Sequence, residues 1–367
     1  MSAHAFAAPA HLHRLPLVTL YLTDRCNSRC VTCDYWRHGR DNMTLAAVTR
    51  LLPSLARLQT EMVLLSGGEP LISPEWTSIA QLLRRNGLKV WLLTSGLALA
   101  KHAHRAAELF DAITVSLDGT DPGTYAAIRG LDAFDKVCEG IAAAAAHGLA
   151  PSIRVTLQRA NYRKLPGFVD LARELHARQV SFLAVDVANP HAFGRTHDFT
   201  SDLALRPQDL PVFEQLLQSM ERDHGENFRT GFIAESPQKL RRIHQYFAAI
   251  QGRAPYPKVR CNAPEFSVVV GATGRVQPCF FIEGPPDAQL RSVDAELQGG
   301  HAELGGSHAV SDLALPGVLN GAAMRALRTA IRAGERAECR TCVCSMWRDP
   351  GIETSPHAMG LAPQATA

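Results

Sequence analysis

Leu17-Val18-Thr19-Leu20-Tyr21-Leu22-Thr23-Asp24-Arg25-Cys26-Asn27-Ser28-Arg29-Cys30-Val31-Thr32-Cys33 is an apolar, strand-like run that breaks into a polar loop carrying three cysteines spaced C-x3-C-x2-C. Iron-sulfur clusters with purely structural or electron-carrying roles normally use four thiolates. A compact trio therefore points to a four-iron cube with one iron open to a reacting ligand. The competing reading is a zinc knuckle that borrows a distant fourth ligand.

Outward from this stretch, short apolar runs alternate with amphipathic helical patterns to about residue 222, the arrangement that builds parallel sheets from strand-helix units. Strands are expected at 17–23, 61–66, 88–94, 112–117, 152–158 and 180–187, with helices such as 45–58, 74–86, 134–147 and 163–178, and Thr44 and Ser73 as N-caps. Six consecutive units suit a partial (βα)6 barrel better than a closed eight-unit one, and in such barrels the site lies at the carboxyl ends of the strands. Past Arg229 the pattern changes. Ser236-Pro237 opens a capped helix, 266–270 and 275–280 flank Gly271-Ala272-Thr273-Gly274 as a β-hairpin, 284–317 reads as an insertion or loop, and a further helix is expected at 321–332. The expected fold class is α/β: a flexible tail at 1–15, a partial barrel at 16–235, a small hairpin-plus-helix auxiliary domain at 236–350 and a disordered tail at 351–367.

Composition narrows the function classes. The chain has 367 residues, 46% of them hydrophobic, enough for a large domain plus a smaller one. The net charge of +3 is spread without a long basic block, which argues against nucleic acid as a partner. No run approaches the ~18 apolar residues of a membrane span, and the N-terminus lacks the basic start and apolar centre of a secretory signal. Most of the nine cysteines fall into metal-ligand spacings, so a reducing cytoplasm is the expected location.

Further motifs sit at the ends of the expected strands: Ser66-Gly67-Gly68-Glu69-Pro70 after the second, Thr94-Ser95-Gly96 after the third, Ser116-Leu117-Asp118-Gly119 after the fourth, and Thr156, Gln158 and Asn161 around the end of the fifth. Glycines allow close approach of backbone and ligand, and hydroxyls and carboxylates can hold amines and sugar hydroxyls. Arg129-Gly130 adds a guanidinium suited to a carboxylate, either a ligand's or that of a structural ion pair. Near the C-terminus Cys261, Gly274 and Cys279 form C-x12-G-x4-C, followed after a long gap by Cys339, Cys342 and Cys344. Two cysteines bracketing a hairpin and a distant C-x2-C can converge on one tetrahedral site, for zinc or for a fully ligated 4Fe-4S cluster. Cys138 lies in a helical pattern and reads as a small buried hydrophobe.

On the cysteine trio, the Gly67–Pro70 turn and the Ser116-to-Gly119 segment, residues 17–190 resemble the radical S-adenosylmethionine (SAM) enzymes. The resemblance implies that Cys26, Cys30 and Cys33 hold a 4Fe-4S cluster whose open iron takes the amino and carboxylate groups of SAM, and that reductive cleavage yields a 5′-deoxyadenosyl radical. It assigns Gly67, Gly68, Glu69 and Pro70 to the SAM amino group, Ser95, Ser116 and Asp118 to the ribose side, Arg129 to the carboxylate, and Thr156, Gln158 and Asn161 to adenine or carboxylate. The C-terminal cysteines resemble the SPASM and twitch extensions. Several SPASM cysteines are absent, so one auxiliary 4Fe-4S cluster on Cys261, Cys279, Cys339 and Cys342 is implied, with Cys344 as an alternative ligand. One departure is Thr32, where the family often carries an aromatic residue; Tyr35 and Trp36 follow instead.

The expected activity is hydrogen-atom abstraction from an unactivated C–H bond. A fully ligated second cluster favours an oxidative outcome, so dehydrogenation of a small molecule in natural-product biosynthesis ranks first. About sixteen residues precede the first strand, leaving no room there for the recognition domain of many peptide-maturing relatives. A ribosomal-peptide maturase (crosslink, oxidation or epimerisation) would then use a separate recognition partner. Other readings are a non-catalytic Fe-S electron carrier and a zinc-stabilised binding module. An external reductant such as flavodoxin or ferredoxin is implied. Candidate catalytic residues are Tyr35, Trp36, Asp186, His191, Glu235 and Glu283, with Asn189 and Arg195 nearby; no histidine is assigned to metal.

Overall fold

The structure, a computed structural model, describes residues 9–189, 192–195, 201–290, 314–344 and 346–348. β1 (Leu17–Thr23) is buried at every position because it has parallel neighbours on both edges, β2 (Met62–Gly67) and β7 (Ser267–Val270). The sheet continues through β3 (Lys89–Thr94), β4 (Ala112–Ser116), β5 (Ser152–Leu157) and β6 (Gln179–Ala184), all parallel, and ends beyond β7 in the short antiparallel β8 (Val276–Gln277). All six expected barrel strands form, giving the partial α/β barrel. The sixth stops at Ala184 rather than 187, because the Asp186 side chain accepts the amides of Ala188 and Asn189 and turns the chain.

The hairpin at 267–277 was expected in a separate auxiliary domain. Its first strand instead extends the barrel sheet at the open edge of β1, and its Val268-Val269-Val270 run suits a strand covered on both faces. Helix α8 (Pro237–Ile250), capped by Ser236, likewise sends Leu240, Ile243, Tyr246 and Phe247 into the same core as the barrel.

The other helices of eight residues or more follow the strands: α1 (Leu45–Arg57), α2 (Trp76–Arg85), α3 (Leu99–Leu109), α4 (Pro122–Arg129), α5 (Phe134–Ala146), α6 (Leu165–Glu174), α7 (Leu210–Asp223) and, near the C-terminus, α9 (Ala322–Ala333). Thr44 caps α1 as expected, accepting the Ala47 amide at 3.2 Å. Ser73 is not an N-cap but the C-cap of a 3-10 turn that Glu69 opens, and α2 begins three residues later at Trp76. α6 is shorter than 163–178, and His176 beyond it takes a left-handed φ of 52°.

Alternate strand residues divide between two faces. Val18, Leu20, Val63, Leu65, Val90, Leu92, Val115, Val155 and Phe182 join the helices in the main core. The opposite, concave face starts with an apolar plug of Leu17, Met62, Leu64 and Trp91, against which Phe280 packs. Above the plug that face turns polar, with Ser116, Arg154 and Ser181 in one row across β4, β5 and β6.

Residues 9–15 do not form the expected flexible tail. Leu12 and Leu15 are buried, Leu12 exchanges backbone hydrogen bonds with the Asn320 side chain, and the fully buried Arg328 donates to the Pro9 carbonyl. Each buried leucine contributes roughly 1.5–3 kcal/mol, enough to hold a short segment down. The tail assigned to 351–367 lies outside the described residues.

Candidate active site

The loop carrying Cys26, Cys30 and Cys33 is held from two sides. On one side it docks on the C-terminal end of α4: the amides of Arg29 and Val31 donate to the carbonyls of Arg129 and Ile128, and the Ser28 hydroxyl donates to Arg129 O. These are carbonyls that a helix end leaves without partners, so the loop serves as the helix's cap. Gly130 closes the helix in the left-handed region (φ 71°), and a Cβ there would lie 2.2 Å from Arg29 O. On the other side, Gly68 N–H donates to Thr23 O at 2.7 Å and Glu69 N–H to Arg25 O at 2.8 Å.

This contact explains the glycine pair. A Cβ on Gly67 would meet Thr23 O at 2.1 Å, and one on Gly68 would meet Arg25 O at 2.0 Å. The missing side chains thus let the turn after β2 press against the start of the cysteine loop. Glu69 is fully buried and turned inward: its carboxylate accepts from Leu71 N, Thr94 Oγ1 and Ser95 N at 3.1, 2.7 and 2.7 Å. It ties the ends of β2 and β3 together beneath Pro70. Asp118 is engaged in the same way, accepting from Thr156 N at 2.7 Å and from Arg129 Nη1 at 3.1 Å. Arg129 thus makes the structural ion pair. Burial opposes its charge, but Cys30 and Asp118 beside it outweigh that and hold the guanidinium firmly protonated. Asn161 organises the loop after β5, accepting the Gln158 amide and donating to the carbonyls of Asp118 and Thr156.

Several polar atoms at this end of the barrel are buried without a hydrogen-bond partner, among them Ser95 Oγ, Gln158 Nε2, Arg129 Nε and the Tyr125 hydroxyl. Buried orphan donors of this kind are costly, and a polar ligand would satisfy them. Three thiols, an amide-lined glycine turn and these orphans fit SAM bound on a cluster. Burial pushes the free thiols of Cys26 and Cys33 up to about 11 and about 12, so cluster assembly must displace protons from both.

The five C-terminal cysteines meet. Cys261, Cys279, Cys339, Cys342 and Cys344 line one apolar cavity with Val259, Phe281, Ile282 and Ile331. Cys261, Cys279 and Cys342 each accept an amide N–H from the residue two further on, at 3.5, 3.5 and 3.3 Å, as Cys26 does at 3.4 Å. Such bonds stabilise thiolate sulfur and tune a bound cluster. Among the described residues, no three His, Cys, Asp or Glu side chains converge on a single-ion position. A near-closed ion pair clasps this region: Arg332 reaches both oxygens of Glu265 at 2.6 and 2.7 Å.

The two cysteine groups are joined by side chains. Tyr21 on β1 packs edge-on against Tyr35 (centroids 5.9 Å) and stacks on Phe280 (6.4 Å), so three rings run from the residue two past Cys33 to the residue after Cys279. Burial, then Cys33, raises the Tyr35 hydroxyl to about 12. Arg195 donates to the carbonyls of Asp186, Asn189 and Thr32, and Asn189 donates to Phe281 O. Of the other catalytic candidates, Asp186 is buried with Oδ2 unpartnered, and burial raises its pKa. Trp36 carries Arg37 over its ring at 4.1 Å. Glu235 is buried at the edge of β6, accepting the Phe182 amide at 2.7 Å with Lys239 Nζ at 3.5 Å. Glu283 is exposed and faces Arg275. His191 lies outside the described residues. Sequence reasoning missed Tyr21 and Arg154; the signal for Arg154 was a lone charge inside Ile153-Arg154-Val155-Thr156-Leu157.

A partial parallel barrel with a three-thiol loop at its strand ends is the arrangement on which the comparisons with known proteins agree. Residues 20–172 match the radical SAM superfamily, so this part of the chain is a radical SAM domain. It is 33% identical over 181 residues to a GTP 3′,8-cyclase of Rhizobium etli (45% of this chain, 49% of the relative) and 38% identical over 141 residues to one of Mycobacterium marinum (35% and 39%). The chain spans about half the length of the curated relatives it matches. Among solved structures, SuiB of Streptococcus suis bound to S-adenosylmethionine superposes with a TM-score of 0.61 at 13% identity, covering 92% of this chain and 74% of that one. The enzyme anSMEcpe with bound AdoMet and Cp18Cys peptide gives 0.59 at 16% identity, covering 85% and 82%. Among the described residues no helix is long and apolar enough to cross a membrane.

Proposed function

We propose that the chain is a radical SAM oxidoreductase with a SAM-binding 4Fe-4S cluster on Cys26, Cys30 and Cys33 and one auxiliary 4Fe-4S cluster on Cys261, Cys279, Cys339 and Cys342. The observation that carries this reading is the meeting of the C-terminal cysteines in one apolar cavity whose wall reaches, through Phe280 and Tyr21, the first cysteine loop. When bound, the first cluster and SAM supply a 5′-deoxyadenosyl radical able to take a hydrogen atom from an unactivated C–H bond, and a fully thiolate-ligated second cluster supplies an electron acceptor.

The protein's own residues orient and enclose. Ser95, Gln158 and Ser116 are the polar groups available to SAM, while Glu69, Asp118 and Arg129 act one step back by fixing the loops. Phe280, Phe281 and Ile282 wall the second site from water. Cys342 is favoured over Cys344 as the fourth ligand by its amide hydrogen bond, which matches those at Cys261 and Cys279. Residues 16–235 then form the SAM-handling part and 236–350 the auxiliary part, in a cytoplasmic enzyme fed by an external reductant.

Oxidative modification of a small molecule is the first reading of the outcome. Peptide maturation is the second, favoured by neighbours of the same fold that were solved with the precursor peptide SuiA and with the Cp18Cys peptide. The test is iron and sulfide content together with 5′-deoxyadenosine formation from SAM, anaerobically and under reduction. About eight irons with 5′-deoxyadenosine are expected. Four irons plus zinc would remove the electron acceptor and the oxidative reading. Two intact clusters without 5′-deoxyadenosine would favour a plain electron carrier.

A further inference from the structure

Arg154 is the one charged residue of β5. Its sequence neighbours Ile153 and Val155 are buried in the main core, so its own side chain belongs to the opposite, concave face, where it is half-buried in a row with Ser116 on β4 and Ser181 on β6. Ser181 Oγ accepts its Nε–H at 3.1 Å and pins the guanidinium. Among the described residues, no carboxylate lies within ion-pair distance of it. The nearby Glu235 is already committed to the Phe182 amide and to Lys239. The same concave face borders the C-terminal cysteines, because Phe280, adjacent to Cys279 of the five-cysteine cavity, packs on its apolar plug of Leu17, Met62, Leu64 and Trp91.

We propose that Arg154 recognises an oxyanion of the substrate, a carboxylate or a phosphate, seated on the concave face between Ser116 and the C-terminal cysteines. A guanidinium held at Nε presents its two Nη groups as a preset fork, and that fork matches the paired oxygens of a carboxylate or phosphate. A side chain needed only to brace the sheet would gain nothing from a charge at this depth. The position suits a substrate's handle, because its two flanks are the strand end assigned to SAM and the cavity assigned to the auxiliary cluster. The inference rests on the proposed function for those two flanks and adds the chemical class of what lies between them.

The experiment uses the full, cluster-reconstituted chain with SAM present. Inorganic pyrophosphate and N-acetylglutamate are titrated separately by calorimetry, and SAM affinity and iron content are measured on every variant. Saturable binding of one probe is expected, and which one binds tells phosphate from carboxylate. Arg154→Gln should weaken that binding at least about tenfold, and Arg154→Lys, which keeps the charge but not the fork, by less. Binding of neither probe, or equal binding by wild type and Arg154→Gln, overturns the proposal. So does a loss of SAM affinity in Arg154→Gln with probe binding intact, which would assign the guanidinium to SAM. Failure of the SAM reading is seen separately, as absence of 5′-deoxyadenosine from the wild-type chain.

Discussion

The two cysteine groups use the same side chain in opposite settings. The N-terminal trio is fixed by backbone: helix-end carbonyls of α4 on one side, a glycine turn on the other, and buried Glu69 and Asp118 holding those supports in place. The C-terminal five are enclosed by side chains, chiefly Ile282, Ile331 and Phe281. A site built from backbone leaves room around its metal for a ligand, whereas a site walled by apolar side chains shuts ligands out. The difference is what the proposed pair of clusters, one that reacts and one that only exchanges electrons, would require.

The largest effect expected from breaking this contrast is that of replacing Cys26, Cys30 and Cys33 together by Ala. Iron should fall from about eight to about four per chain, and 5′-deoxyadenosine should vanish. A variant that retained 5′-deoxyadenosine formation would remove the trio from the chemistry. Next is Gly68→Val, whose side chain would strike Arg25 O and lever the cysteine loop away from the turn. Displacements near 1 Å cost roughly a hundredfold in rate, so SAM cleavage should drop by about that factor while auxiliary iron stays.

The buried ion pairs sharpen the comparison, because each region has one. Arg129→Met strands Asp118, and Arg332→Met strands Glu265; each should lower stability by about 3–5 kcal/mol in chemical denaturation. The losses should differ in kind: SAM cleavage for Arg129, auxiliary iron for Arg332. Equal loss of both clusters in either variant would mean that the regions are not separately supported. The smallest effect is expected for Cys344→Ser, which should keep its auxiliary iron, against Cys342→Ser, which should lose it; iron analysis of the pair decides between the two thiols.

The fold was legible where local pattern and global structure agree. The apolar runs at 17–23, 88–94 and 152–158 had no competing reading, and their parallel pairing followed from the helices between them. The position of the hairpin was not legible, since nothing in Val268-Val269-Val270 says which edge it joins. At the site, the cysteine spacings and the glycine turn drew attention to the region, but residue chemistry alone did not show which way the carboxylates turn. Glu69 and Asp118 have the right groups for a ligand, yet three backbone amides and the hydroxyl of Thr94 claim their oxygens first, together with Arg129. Tyr21 was hidden because an aromatic residue in a buried strand looks like ordinary core until the register shows which face it occupies.

The parallel pairing of β7 with β1 also bears on how the chain acquires its shape. Leu17 and Ser267 are partners across about 250 intervening residues. Contacts of such long range form late, after closure of a very long loop. Until they do, β1 waits with one edge unpaired, next to the cysteine loop. A chain cut after residue 235 would keep that edge open permanently, an invitation to self-association. Formation of β7 is therefore a condition for the N-terminal site to be finished, which ties maturation of the reactive centre to synthesis of the chain at least as far as Val270.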